Sequence, residues 1–128
     1  MYAVVMAEIT QITPFVMTHD LEASIDFFTR ILGFSCTFQM ENYAFVQRLG
    51  KAIRLIEVDA SCVIGEQMIY LDCDDVDTLF DELRSRLETL ARDRVRAPFD
   101  QPYQQREFHV KDPDNCLLLF GTAISASP

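Results

Sequence analysis

Two histidines are the side chains best suited to acid–base chemistry or metal binding, and they lie far apart in the sequence. His19 stands beside Asp20 at the entrance to a predicted helix, which favours a surface or capping role. His109 lies in the strand-like segment Glu-Phe-His-Val. Because a strand residue can face a cavity, His109 is a candidate for ligand contact or proton transfer, with core packing or exposure as the alternatives.

The other reactive residues form no catalytic or metal-binding motif. The four cysteines include no C-x-x-C pair, and we interpret them as small buried apolar residues in a reducing cytosol: Cys36, Cys62, Cys73 and Cys116. Neither G-x-S-x-G nor H-E-x-x-H occurs, and only four glycines are present for a phosphate-binding loop. The acidic cluster at 74–82 is interpreted as a solvated helix start rather than a metal site.

The length and composition predict a single globular domain, 1–128, without a nucleic-acid or membrane partner. Twenty acidic residues against eleven basic ones give a net charge of −9, which suits a neutral or cationic ligand and disfavours phosphate backbones. No apolar run approaches the roughly 20 residues of a membrane-spanning helix. The N-terminal MYAVVMAEIT lacks the features of a secretory signal, so we expect a cytoplasmic protein.

An internal repeat predicts how the chain is organised. Residues 19–32 align without gaps on 74–87, and the same shift places the strand-like segment 13–18 on 68–73. Shorter strand-like segments follow each predicted helix: 35–40, 43–49 and 51–58, then 94–97, 105–111 and 116–121.

We therefore predict two βαβββ repeats, at about 11–58 and 67–122, joined by a linker at 59–66. This arrangement is an α+β fold in which a helix covers one face of each sheet.

Residue patterns define both helices. Asp20 is the predicted N-cap of the first helix, and Gly33 occupies a position where a left-handed residue ends it. The second helix has an apolar stripe, and we expect its Glu82–Arg86 and Glu88–Arg92 pairs to interact at a spacing of four residues.

Two segments carry a family resemblance. DLEASIDFFTRILGF (20–34) and REFHVKDPDN (106–115), in this order within a repeat, resemble the vicinal oxygen chelate superfamily of glyoxalase I, extradiol dioxygenases and bleomycin-resistance proteins. The resemblance extends over about residues 12–121. It implies a curved mixed sheet with a concave cleft, and a homodimer.

Enzymes of that superfamily hold a divalent metal through His, Gln or Glu at four strand positions. The resemblance places these positions on Thr13, Arg54, Met68 and Leu119. The last position falls on Leu118 instead if the turn before the final strand is one residue shorter. None of these is a usual ligand, and Glu57 is a lone carboxylate nearby. We therefore expect no metal and no other cofactor, and favour a binding protein over an enzyme.

The metal-free bleomycin-resistance branch is the most similar part of the superfamily. Its members are acidic homodimers that sequester a cationic, planar-ringed drug in grooves between subunits. Tyr103 lies where these proteins have an aromatic residue shortly before R-E-F. Since the chain has no tryptophan, we expect other aromatic residues to line the cleft.

Strand alternation selects the residues that line this cleft. Phe15 and Met17, with Thr13, are expected from the first strand, whereas Met68, Tyr70 and Asp72 are expected from the fifth. The alternative is that these side chains simply fill the space that a metal would occupy. Core packing is favoured for four further aromatic residues: Phe38, Tyr43, Phe45 and Phe108.

Arg54 is unusual at a position expected to face the cleft. We expect it to pair with Glu57 or Asp72, or to hold an anionic ligand, because an unpaired buried guanidinium is costly.

The sequence thus favours a metal-independent protein that binds a small aromatic or cationic compound, with Phe15, Met17, Arg54, Met68, Tyr70, Asp72, Tyr103 and His109 as candidate ligand contacts. One alternative is a metal-dependent lyase or dioxygenase with atypical ligands, such as His109 and Glu57 together with a partner subunit. The other is a structural dimer without a ligand.

Overall fold

Each repeat folds into a four-stranded mixed sheet with one helix packed on it, so the predicted α+β architecture is confirmed. A computed structural model describes residues 5–125 of the chain. The elements of the first repeat are β1 (Phe15–Thr18), α1 (Leu21–Asp26), β2 (Ser35–Gln39), β3 (Tyr43–Arg48) and β4 (Lys51–Glu57). Those of the second are β5 (Met68–Asp72), α2 (Val76–Leu87), β6 (Val95–Gln101), β7 (Gln105–Lys111) and β8 (Leu117–Ala123).

The strand order shows that the two repeats are equivalent. It is β1-β4-β3-β2 in the first sheet and β5-β8-β7-β6 in the second. In each sheet the strand before the helix pairs in parallel with the last strand of its repeat, and the remaining pairs are antiparallel.

The helix starts follow the repeat as well. Asp20 and Asp75 both accept a hydrogen bond from the backbone N–H three residues ahead, at 3.1 Å in each case. α1 continues as a π-helical turn (Phe27–Ile31), after which Gly33 takes a φ of 77°. The predicted N-cap Asp20 and the C-terminal role of Gly33 are confirmed.

The second helix is shorter than its apolar stripe suggests. Glu82 and Arg86 form the expected pair, with 3.9 Å between their charged atoms. The expected Glu88–Arg92 pair is wrong, because α2 ends at Leu87 and Arg92 begins a separate 3-10 turn.

One hydrophobic core lies between the helices and the adjacent sheet faces. It combines strand residues with helix residues of both repeats: Val16, Leu55, Phe108, Leu118 and Phe120, with Phe28, Ile31, Leu83 and Leu87. Phe108, which the sequence assigned to the core, stacks on Phe120 with ring centroids 4.6 Å apart.

The four cysteines are free, but the interpretation that all are buried is wrong. Cys116 is buried, and Cys36 and Cys73 are half-buried. Cys62 is exposed because it lies in the linker between β4 and β5, away from both sheets.

Side chains join the two repeats at two places, one at the edge strand β1 and the other between β3 and α2. The Gln67 amide accepts from Met17 N–H at 2.8 Å and donates to the Met17 carbonyl at 3.1 Å. Arg48 donates to both carboxylate oxygens of Glu82, at 2.8 and 3.0 Å. These contacts hold the two sheets in one arrangement. Within residues 5–125, no helix is long and apolar enough to cross a membrane.

Candidate functional site

The face of each sheet that carries no helix presents aromatic and thioether side chains. In the first repeat, 55% of Phe15 and 42% of Met17 are exposed. In the second, 69% of Met68 and 38% of Tyr70 are exposed, and 56% of Tyr103 beside them. We call these two surfaces the free faces of the first and second repeat. Apolar groups concentrated in this way on a protein surface mark a binding site or an interface.

Strand register arranges the second free face in rows. Tyr70, Leu119, His109 and Arg96 are cross-strand neighbours in one row. Asp72, Gly121, Glu107 and Phe99 form the adjacent row. The strands thereby place a histidine and a carboxylate next to each other in the middle of the sheet.

Glu107 is the centre of a hydrogen-bond network on this face. Its side chain is fully buried. One carboxylate oxygen accepts from the Tyr103 hydroxyl at 2.6 Å, whereas the other lies 3.1 Å from Gln101 Nε2 and 2.8 Å from His109 Nε2. Three side chains therefore share one buried carboxylate.

These hydrogen bonds keep Glu107 ionised. Burial alone would raise the pKa of its carboxyl group, but the hydrogen bonds from Tyr103, His109 and Gln101 outweigh burial and lower that pKa to about 2. Tyr70 makes a smaller contribution, although its own hydroxyl donates to Gln105 Oε1 at 3.0 Å. Burial first, and then the nearby Glu107 charge, raises the pKa of Tyr70.

Tyr70 reaches this network because Gly121 has no side chain. A Cβ atom at position 121 would lie 1.9 Å from the Tyr70 hydroxyl oxygen and 2.6 Å from Cζ. The glycine therefore creates the space over β8 that the phenol ring occupies.

The R-E-F motif divides its residues between the two sides of the sheet. Arg106 forms ion pairs with Asp77 of α2 and Asp100 of β6, at 3.0 Å each. Glu107 points to the free face, and Phe108 enters the core. The motif thus fixes α2, β6 and β7 around the carboxylate.

His109 is held by an aromatic neighbour as well as by Glu107. The Phe99 ring meets the imidazole edge-on, with ring centroids 5.0 Å apart. Arg96 lies over the Phe99 ring, and its guanidinium carbon is 3.5 Å from the ring centroid. The Arg96 charge is therefore engaged by the phenylalanine.

Arg54 faces the first free face but does not make the expected ion pair. It is half-buried, donates through Nη1 to the Tyr43 hydroxyl and lies over the Phe45 ring, 5.2 Å from its centroid. Within residues 5–125 it pairs with neither Glu57 nor Asp72. A phenol oxygen and an aromatic face stabilise its charge instead.

The residues at the strand positions expected for a metal do not suit one. Thr13 precedes β1, and the register instead places Phe15 beside Arg54 and Tyr70 beside Leu119. A phenyl ring, a guanidinium and a hydrocarbon offer no donor atoms to a divalent ion, and the Tyr70 hydroxyl already binds Gln105. Within residues 5–125, no three His, Cys, Asp or Glu side chains come together as a ligand set.

The alternative pair of His109 and Glu57 is not brought together within this chain. His109 lies in β7 and binds Glu107, whereas Glu57 ends β4 in the other sheet.

A cleft of about 620 Å³ lies between the two repeats. It is lined by the segment 11–14 before β1, the β3–β4 turn, β5 and the first turns of α2, and includes Tyr70, Asp72 and Phe120. Its rim carries four acidic groups, Asp72, Asp74, Asp75 and Glu82, and two basic ones, Arg48 and Lys51, of which Arg48 pairs with Glu82. This combination of an apolar floor and acidic rim suits a cation with an apolar body.

Known proteins share this arrangement of two βαβββ repeats. The family model of the Glyoxalase/Bleomycin resistance protein/Dioxygenase superfamily matches residues 8–120. The chain belongs to this superfamily. The resemblance that the two sequence segments carry is therefore confirmed. A comparison with curated protein sequences gives no match.

Solved structures of the superfamily include both drug-binding proteins and enzymes. The bleomycin-binding protein from Streptomyces verticillus, complexed with copper(II)-bleomycin, is 19% identical with a TM-score of 0.75, over 94% of this chain and 100% of that chain. A lactoylglutathione lyase from Agrobacterium tumefaciens is 18% identical with a TM-score of 0.69, over 90% and 95% of the two chains. An antibiotic binding protein from Streptomyces, TnmS3, is 23% identical with a TM-score of 0.70, over 92% and 99%. At these identities the likeness shows the shared fold.

The candidate ligand contacts predicted from the sequence are divided between the two free faces. Phe15, Met17 and Arg54 lie on the first free face. The second free face brings the others together on or beside neighbouring strands: Met68, Tyr70, Asp72, Tyr103 and His109.

Some packing residues differ from expectation. Phe38 is 53% exposed on edge strand β2, so its assignment to the core is wrong. Tyr43 and Phe45 are half-buried and contact Arg54.

Sequence reasoning missed Glu107, Gln101 and Gly121. Glu107 is two residues before His109, a spacing that places both on one face of a strand, and this signal was available. The contact between Gly121 and Tyr70 had no local signal, because it joins residues far apart in sequence.

Proposed function

We propose that this superfamily member is a metal-independent protein that binds and sequesters an aromatic or cationic compound in a cleft of a homodimer. The observation that carries the proposal is the exposure of aromatic and thioether groups on the free faces, where Phe15 and Tyr70 stand beside Arg54 and Leu119. Such a lining supplies stacking area without a donor set for a metal.

Electrostatics support a cationic or neutral ligand. The chain has a net charge of −9, and the cleft between the repeats has an acidic rim. A bleomycin-binding protein complexed with bleomycin and an antibiotic binding protein are among the solved structures of this fold, which supports a small-molecule ligand. Asp72 at the end of β5 is the carboxylate that we assign to orienting a positive group.

The homodimer is part of the same proposal. A second copy would cover apolar side chains that one chain leaves exposed on both free faces. Because the free faces belong to separate sheets, each cleft would combine the first free face of one copy with the second free face of the other. We also propose a cytoplasmic location, as expected from the sequence, where a sequestering protein would meet its ligand.

A calorimetric titration with proflavine, a planar aromatic cation, tests this function. We expect saturable binding, and Tyr103→Ala should weaken it about tenfold or more through lost stacking. Val63→Ala is the matched control, since Val63 is 90% exposed in the linker between β4 and β5, outside the cleft and both free faces, and should leave binding unchanged. No binding, or equal binding by both variants and the parent protein, would contradict the proposal.

A further inference from the structure

The network around Glu107 determines which polar atoms remain available to a ligand on the second free face. An ionised carboxylate can only accept hydrogen bonds. Its partners must therefore donate: the Tyr103 hydroxyl proton points to one oxygen, and Gln101 Nε2 and His109 Nε2 point to the other.

This requirement fixes the proton on the His109 ring. In a neutral imidazole one nitrogen carries hydrogen and the other is an acceptor. Because Nε2 must donate to Glu107 at 2.8 Å, Nδ1 carries the free lone pair.

The free nitrogen is also accessible. Within residues 5–125, the buried side-chain nitrogen and oxygen atoms without a partner are Ser24 Oγ, Arg94 Nη2 and Asp112 Oδ2. His109 Nδ1 has no partner among these residues, and 15% of the His109 side chain is exposed, so solvent or a ligand can reach the ring.

The two tyrosines are oriented in the same way. The proton of Tyr103 goes to Glu107 and that of Tyr70 goes to Gln105, so that both hydroxyl oxygens offer lone pairs. Donors beside them are the Gln105 amide Nε2 next to Tyr70, the second N–H of Gln101 Nε2, and the Arg96 guanidinium over the Phe99 ring. The acceptors in this part of the face are His109 Nδ1 and the hydroxyl oxygen of Tyr103.

We propose that the His109–Glu107 pair and Tyr103 form an acceptor subsite that selects planar aromatic ligands bearing a hydrogen-bond donor, such as a phenol or an aromatic N–H. This inference rests on the proposed binding function and specifies its ligand class. The ring of the ligand stacks on the exposed aromatic residues, and its donor binds His109 Nδ1. An aromatic compound whose only polar group is an acceptor leaves Nδ1 desolvated and unpaired, which weakens its binding.

A matched pair of fluorescent probes tests the selectivity. 2-Naphthol carries a hydroxyl donor, and 2-methoxynaphthalene has the same ring with the donor methylated. We expect the parent protein to bind 2-naphthol about tenfold more tightly, which corresponds to one net hydrogen bond. His109→Phe retains a ring but lacks Nδ1, and should bind both probes equally.

His19→Phe is the control, because it changes the other histidine at an exposed site before α1 and should keep the tenfold preference. Circular dichroism establishes that each variant is folded.

The ring tautomer gives a second readout that needs no ligand. Nitrogen-15 NMR of the parent protein should show hydrogen on Nε2 of His109, and the His109→Phe spectrum assigns the signal. Glu107→Gln replaces the acceptor with an amide, and its NH2 group should shift hydrogen to Nδ1. A parent protein with hydrogen on Nδ1 would overturn the proposal even if probes bind.

The outcomes separate this inference from the function beneath it. Binding of both naphthalenes with equal affinity overturns the acceptor subsite and leaves the binding function in place. Failure of 2-naphthol, 2-methoxynaphthalene and proflavine alike overturns both.

Discussion

A single buried carboxylate organises the polar part of the candidate site. Glu107 has no exposed surface, yet four neighbouring side chains keep it charged. Its R-E-F motif and the strand around it could be predicted from sequence, and so could the position of His109 in that strand. The contacts of Gln101 and Tyr103 with Glu107 could not, because they depend on the register of the β6–β7 hairpin and on the conformation of its turn.

The state of Glu107 makes stability depend on acid pH. Its pKa is about 2 in the folded protein, against 4.5 ordinarily, so its contribution is complete above pH of about 4.5 and is lost as the pH falls toward about 2. We expect Glu107→Gln to lower the free energy of unfolding near neutral pH by on the order of 2 kcal/mol. Urea unfolding across this pH range should show the difference from the parent protein narrowing as the pH falls.

Glu57→Gln provides the comparison for this change. Glu57 is half-buried at the end of β4, outside the Glu107 network. We therefore expect the Glu57→Gln variant to show the same change in the free energy of unfolding between neutral and acid pH as the parent protein. A Glu107→Gln protein with the parent's full pH dependence would show that Glu107 is not the group responsible.

The turn between β7 and β8 contains a second carboxyl group whose pKa is shifted, that of Asp112. Asp112 Oδ1 accepts from the backbone N–H groups of Asp114 and Cys116 at 2.8 Å each, while buried Oδ2 lacks a partner within residues 5–125. Burial outweighs these hydrogen bonds and raises the pKa of Asp112 to about 6. The residues Asp-Pro-Asp-Asn at 112–115 are typical of a turn, but burial of the Asp112 side chain depends on the tertiary packing.

The sign of the Asp112 effect is opposite to that of Glu107. Because the folded protein binds a proton more tightly than the unfolded chain, stability falls as pH rises from about 3.8 to about 6. Asp112→Asn should remove this fall. Between pH of about 3.8 and about 6, the free energy of unfolding of the variant should therefore gain on the order of 2 kcal/mol relative to that of the parent protein. Thermal unfolding at both ends of the range measures it, and parallel curves for the two proteins would contradict the assignment.

The contact between β5 and β8 yields another expected outcome. Gly121→Ala places a methyl group where the Tyr70 ring now lies, so the ring must leave its position beside Gln105. We expect proflavine and 2-naphthol to bind several-fold more weakly, with the fold retained because only a side chain moves. Gly65→Ala is the control, since nothing lies within 4 Å of the added group there. Equal affinities for the two variants would remove Tyr70 from the ligand contacts.

For the whole molecule, the sequence repeat predicted most of the fold. The shift that aligned Asp20 with Asp75 gives two equivalent N-caps and two sheets of matching strand order. β6 was predicted as 94–97 but extends over Val95–Gln101, because its pairing with β7 compensates for weak local preference. The environment of Arg54 depends on β3–β4 register and was not foreseen.

The net charge predicts how ligand affinity responds to salt. A chain with a charge of −9 attracts a cation over distances that dissolved ions screen. Raising the salt concentration from about 50 to about 500 mM should weaken proflavine binding several-fold, whereas 2-naphthol, which is neutral, should bind with nearly constant affinity. Calorimetry on both probes checks this, and equal salt dependence would argue against a role for the acidic rim.

Sedimentation equilibrium tests the proposed assembly of two copies. We expect a dimer mass at micromolar concentration, since both free faces leave large apolar side chains exposed in one chain. If the protein is a monomer and still binds proflavine, the binding function stands and the proposed cleft between two copies is wrong.

The proposed function requires the protein to bind an aromatic cation without a metal. The most direct measurement is a proflavine titration of chelator-treated protein, with its metal content determined, before and after addition of Fe, Mn, Ni or Zn. We expect saturable binding by the metal-free protein, with the same affinity after each addition. Binding that appears only once a metal has been restored, at one ion per chain, would contradict it.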